Sequence, residues 1–100
     1  MNLLEETVRT LKDFNLSPAD VEFIGNGESF MFWNDFEKVA NFEYDPGYGL
    51  EEISLSLVVV GRDWWLERHE YDGSEWWEYK ERPRIESLKY NPNFNLRAGW

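Results

Sequence analysis

The sequence predicts an α+β fold: an N-terminal amphipathic helix, a β-hairpin, a short helix, then a three-stranded antiparallel meander with an irregular C-terminal tail. Three observations predict it. Leu3, Leu4, Val8, Leu11 and Phe14 fall within one arc of a helical wheel. Large side chains alternate around two turn dipeptides, Asn26-Gly27 and Asp72-Gly73. Between them, Ile53, Leu55, Leu57 and Val59 alternate with Ser54 and Ser56, the period of a strand with one buried face.

Asn2-Leu3-Leu4-Glu5 has the form of a capping box and opens a helix over 3–14. Ser17-Pro18-Ala19-Asp20 supplies a turn or a single helical turn, with Ser as cap and Pro at the first position. In "DVEFIGNGESFMFW" a two-residue type I′ turn at Asn26-Gly27 pairs Val21 with Phe32 and Phe23 with Phe30, which places all four on a core face. Asn34-Asp35-Phe36-Glu37 repeats the capping logic and predicts a helix over 35–41 with Phe36 and Val39 inward. Pro46-Gly47 suits the central positions of a type II turn. A strand over 53–60 follows, and Arg62-Asp63 turns the chain.

"WWLERHEYDGSEWWEYKERP", residues 64 to 83, supplies the last two strands. A two-residue turn at Asp72-Gly73 would oppose Glu70 to Glu75 and Glu67 to Glu78, and like charges directly opposite destabilise a sheet. A four-residue loop over 72–75 instead pairs Tyr71 with Trp76, His69 with Glu78, Glu67 with Lys80 and Arg68 with Tyr79. Trp64, Leu66, Trp77 and Tyr79 then share a core face with Leu57 and Val59. Trp65, Tyr71 and Trp76 share the other, among Glu67, His69, Glu78, Lys80 and Arg82. Either that second face is covered by a helix or by the tail, or it is a binding face of the kind that Trp, Tyr and Arg dominate.

Length and composition predict a single domain over 1–100, in which 84–100 is a mildly basic tail. Net charge is −10. Residues 1–79 hold 18 acids against Arg9, Lys12, Lys38, Arg62 and Arg68, leaving −13, while residues 80–100 carry +3. An acidic body repels nucleic-acid phosphates and anionic lipids, so direct nucleic-acid or membrane binding is disfavoured and a basic protein partner is favoured. With no cysteine and no apolar run long enough to span a bilayer, the expected location is the cytoplasm.

Chemistry is sparse. His69 is the one histidine, and with Glu67 and Glu78 it could form a one-His, two-carboxylate metal site or an acid/base pair. A surface pair is the commoner meaning of that arrangement, and no phosphate loop, nucleophile elbow or zinc motif occurs. No enzyme activity, metal or cofactor is expected.

The block "WWLERHEYDGSEWWEYKERP", with "FEYDPGYG" upstream and "LVVVGRD" leading in, resembles a segment of small acidic proteins of unassigned function in Gram-positive bacteria and their phages or mobile elements. The resemblance spans about residues 42–83 and carries no activity onto any residue. It implies a context that suits small inhibitors of host enzymes. The resulting expectation is a non-enzymatic interaction protein, most concretely an acidic inhibitor of a basic, nucleic-acid-acting host defence protein of the anti-CRISPR or anti-restriction kind. Carboxylates would stand in for phosphates. Its partner-binding set is Trp65, Tyr71 and Trp76 with Glu67, His69, Glu70, Glu78, Glu22, Glu28, Glu43 and Asp45. Alternatives are a toxin-neutralising immunity protein, or a carbohydrate-binding module using exposed Trp, and the exposed face and tail could serve a homodimer equally well.

Overall fold

The computed structural model describes residues 1–47 and 52–98. Helix α1 (Leu3–Asp13) starts at Asn2, whose side-chain oxygen accepts the Glu5 N–H at 3.0 Å. It buries Leu3, Glu6, Thr7 and Leu11, whereas Val8 and Phe14 of the expected stripe are exposed. The stripe is rotated because the helix lies on polar as well as apolar partners. Thr7 Oγ1 accepts the Trp77 indole N–H at 2.9 Å, and the Phe14 ring stacks on Tyr79 at 4.2 Å. Pro18–Asp20 forms one 3-10 turn, with the Ser17 N–H donating to the Asp20 carboxylate at 2.8 Å, as its capping pattern predicted.

Five strands form one antiparallel sheet: β1 (Phe23–Gly25), β2 (Phe30–Met31), β3 (Val58–Val60), β4 (Trp64–Tyr71) and β5 (Ser74–Glu81), in the order β2-β1-β3-β4-β5. The expected meander of three strands is widened because β1 pairs with β3, Ile24 opposite Val59, which joins the first hairpin to its edge.

The first hairpin departs from its expected register. Only Gly27 has positive φ (93°), so the type I′ turn, which needs two such residues, does not form. Instead Asn26 Oδ1 accepts the N–H groups of Glu28 and Ser29 at 3.0 and 2.7 Å and holds a four-residue loop, so that Ile24 opposes Met31 and Gly25 opposes Phe30. Ile24 is the buried residue, and Phe30 and Phe32, expected in the core, are exposed.

Helix α2 (Trp33–Val39) begins earlier than the sequence suggested, because Asp35 rather than Asn34 does the capping and accepts the Phe32 N–H at 3.1 Å. Phe36 and Ala40, four apart, face the core, and Val39 is left exposed. The expected strand over 53–60 is real only at Val58–Val60, since the Leu57 N–H turns back to the Ser54 carbonyl at 3.2 Å and leaves Leu55 exposed. At Pro46-Gly47 the glycine lacks the positive φ of a type II turn; Asp45 Oδ1 accepts its N–H at 3.0 Å instead.

Both helices lie on one side of the sheet. Leu3 and Leu11 of α1, with Phe36 of α2 and Ala40 just beyond it, form one buried cluster with Ile24, Val59, Trp64, Leu66 and Trp77. No helix is long and apolar enough to cross a membrane among the described residues.

Candidate interaction face

Asp72 and Gly73 both take positive φ, 51° and 85°, so β4 and β5 are joined by the two-residue turn that their dipeptide encodes. The ladder therefore pairs His69 with Trp76, Arg68 with Trp77, Glu67 with Glu78 and Glu70 with Glu75. This overturns the four-residue loop expected from charge. A slip of two residues leaves each side chain on its expected face, however, so the division of the tryptophans stands. The like-charge penalty is offset because nearly every opposed carboxylate has a cation or N–H donor of its own.

On the covered face that cation is Arg68, buried at a core position. Its Nη1 donates to Glu6 Oε2 at 3.2 Å, and its Nη2 to Glu75 Oε1 and the Tyr44 hydroxyl, both at 3.1 Å. Tyr44 in turn donates to Glu6 Oε1. The guanidinium carbon lies 4.8 Å from the Trp77 ring centroid and 5.6 Å from that of Tyr44. Glu75 also accepts the N–H groups of Glu52 and Ile53 at 2.8 and 3.1 Å, which fastens the segment before β3 to the sheet. Burial, followed by the hydrogen bond to Glu6, pushes the Tyr44 hydroxyl from 10.0 up to about 12. None of Glu6, Tyr44, Arg68 or Glu75 was among the expected site residues. The available signal was Arg68 itself: a guanidinium in phase with Trp64 and Leu66 has to find buried carboxylates.

The opposite face carries a matching composition without that cover among the described residues. Trp65, Glu67 and His69 of β4 stand beside Lys80, Glu78 and Trp76 of β5. The Trp65 indole donates to Glu67 Oε1 and the Trp76 indole to Glu78 Oε2, each at 3.3 Å. His69 lies between the two carboxylates, Nδ1 3.3 Å from Glu78 and Nε2 3.4 Å from Glu67. Neither contact is aligned as a hydrogen bond, and Nε2 is left without a partner. Its ring stacks on Trp76 at 6.5 Å, and Lys80 reaches Glu78 at 3.5 Å. The side chains of Glu67, His69, Glu78 and Lys80 are 33 to 43% exposed. Among the described residues no three His, Asp or Glu side chains are arranged to hold a metal ion.

The remaining expected site residues are scattered. Tyr71 stands at the hairpin tip, 77% exposed, and Glu70 projects from the covered side near it. Glu28 lies in the first hairpin loop and Glu22 just ahead of β1, both exposed. Glu43 pairs with the N-terminal amine at 3.0 Å, and Asp45 caps its own turn. None of these four joins the aromatic face. Nor does the tail cover it: every described residue after Glu81 is exposed, including Tyr90 and Leu96, and the tail is tied back by the Arg84–Asp63 pair at 2.7 Å.

No family model, curated protein or solved structure matches the chain.

Proposed function

We propose that the chain is a non-enzymatic interaction protein whose open sheet face docks on a basic surface of another protein. One observation carries the reading: Trp65 and Trp76 stand half-buried beside two carboxylates, on a face that neither helix nor tail covers among the described residues. Trp is the side chain most enriched among residues that dominate binding energy, and a neighbouring carboxylate selects a cationic counterpart. In the most concrete form the partner is a nucleic-acid-acting defence enzyme of a phage's or mobile element's host, and the chain is its inhibitor. The excess of acids in residues 1–79 supports this form. Glu22, Glu28, Glu43, Asp45 and Glu70, spread around the surface, contribute long-range attraction rather than contacts.

The test is calorimetric titration of the chain into basic nucleic-acid-acting enzymes, a CRISPR nuclease and a restriction endonuclease among them, at low and high salt and with duplex DNA as competitor. Binding that excludes DNA, weakens steeply with salt and loses roughly 2 kcal/mol or more on Trp76→Ala is the expected result. Binding indifferent to salt, or unaffected by Trp65→Ala and Trp76→Ala together, contradicts it.

A further inference from the structure

Strand β5 is an edge of the sheet, and over part of its length its outward backbone has no partner among the described residues. The Arg82 N–H donates to the Asp63 carbonyl at 2.7 Å, so the even-numbered residues of β5 face β4 and the odd-numbered ones face outward. The outward N–H of Glu75 is taken by the Pro46 carbonyl at 2.8 Å. Trp77, Tyr79 and Glu81 follow, and no backbone partner for their outward groups occurs among the described residues. Pro83 lies just beyond and has no N–H to extend the edge.

We propose that this edge pairs antiparallel with β5 of a second copy, on a two-fold axis through Tyr79, making one continuous ten-stranded sheet. The sequence of the strand selects that register. Centred on Tyr79, it sets Glu78 opposite Lys80 of the second copy and Lys80 opposite its Glu78, with Trp76 facing Arg82 at each end. Centred one residue earlier it would oppose Glu78 to Glu78, and one later Lys80 to Lys80. A lysine in an edge strand ordinarily blunts it against pairing, but here it meets a carboxylate twice over. Trp77 and Glu81 exchange backbone hydrogen bonds across the axis, as do the two Tyr79 residues. Phe14, 44% exposed and stacked on Tyr79, adds apolar area beside the axis.

The consequence is an interaction surface of doubled width, since the even-numbered residues of both β5 strands share the open face. The dimer does not depend on the partner proposed above. Its interface is small, so assembly is concentration-dependent.

Sedimentation equilibrium of the full chain over a concentration series tests it. Glu81→Pro removes an outward N–H and leaves the β4–β5 ladder intact, because Glu81 lies opposite Trp64 at a position without ladder bonds. It and the single reversals Glu78→Lys and Lys80→Glu are each expected to weaken self-association about ten-fold or more, with circular dichroism unchanged. The double reversal, which restores opposite charges across the axis, is expected to recover it. A chain that stays monomeric through the millimolar range overturns the proposal, as does a dimer unmoved by Glu81→Pro or a double reversal that recovers nothing.

Discussion

The two faces of the β4–β5 ribbon are built from nearly the same parts. Each has two tryptophans, two or more carboxylates and a nitrogen-bearing side chain set against an indole: Arg68 beside Trp77 on one, His69 beside Trp76 on the other. Their fates differ because α1, Tyr44 and the backbone of Glu52 and Ile53 close over the first face and nothing described closes over the second. On the covered face both oxygens of each buried carboxylate, Glu6 and Glu75, are committed, to Arg68, to Tyr44 or to backbone N–H groups. On the open face the carboxylates hold long contacts to indoles and an imidazole, and stay partly exposed. Composition therefore does not distinguish a covered face from an open one; the elements that pack on it do.

Substitutions at matched positions put this contrast to the test. Arg68→Met leaves Glu6 and Glu75 buried without their cation and should cost about 3–5 kcal/mol in urea unfolding. His69→Met, one residue along on the open face, should stay within roughly 0.5 kcal/mol. Equal losses would erase the distinction. Gly61→Ala should cost about 1–3 kcal/mol, because the new Cβ would fall 2.1 Å from the buried Trp64 indole; thermal unfolding reads it.

Tyr44 gives a pH signature. Its hydroxyl loses its proton near 10.0 when unfolded and near 12 when folded, so its stabilising contribution is full below pH 10.0 and is lost as pH rises toward 12. Tyrosinate absorbance should show Tyr44 ionising late, in addition to Tyr79, which burial and its hydrogen bond to Glu81 also raise; Tyr44→Phe should remove its own late step and its share of the alkaline loss of stability. At neutral pH the same change should cost about 1 kcal/mol for the lost hydrogen bonds.

How much of this was legible in the sequence is clearest in the two hairpins. Each has a turn dipeptide ending in glycine, and each adopts the loop length that the sequence predicts for the other. Asn26-Gly27 looked like a two-residue turn, but the Asn side chain captures two N–H groups and stretches the loop. At Asp72-Gly73 the charge pattern argues against the two-residue turn, which opposes Glu67 to Glu78 and Glu70 to Glu75. That objection fails once Glu75 is taken by Arg68 and by backbone N–H groups and the Glu67 and Glu78 carboxylates each accept an indole N–H, tertiary facts that pairwise charge rules do not contain. The face assignment of Trp64, Trp65, Trp76 and Trp77 came through because the alternation of a strand survives a slip of two residues. The Glu6–Arg68–Glu75–Tyr44 cluster is not legible as a whole, since Glu6 lies 62 positions before Arg68 and the two meet only when α1 closes on the sheet.

The division between the faces can be read directly from hydrogen exchange of the indole N–H groups by NMR, with a lysine-rich peptide as a probe of the open face. The Trp77 indole, bonded to Thr7 Oγ1 in the core, should exchange slowly and stay unshifted when the peptide is added. The Trp65 and Trp76 indoles should exchange fast and be the ones that move. Protection of Trp65 and Trp76 equal to that of Trp77, or a peptide response at Trp77 in their place, would contradict an open binding face.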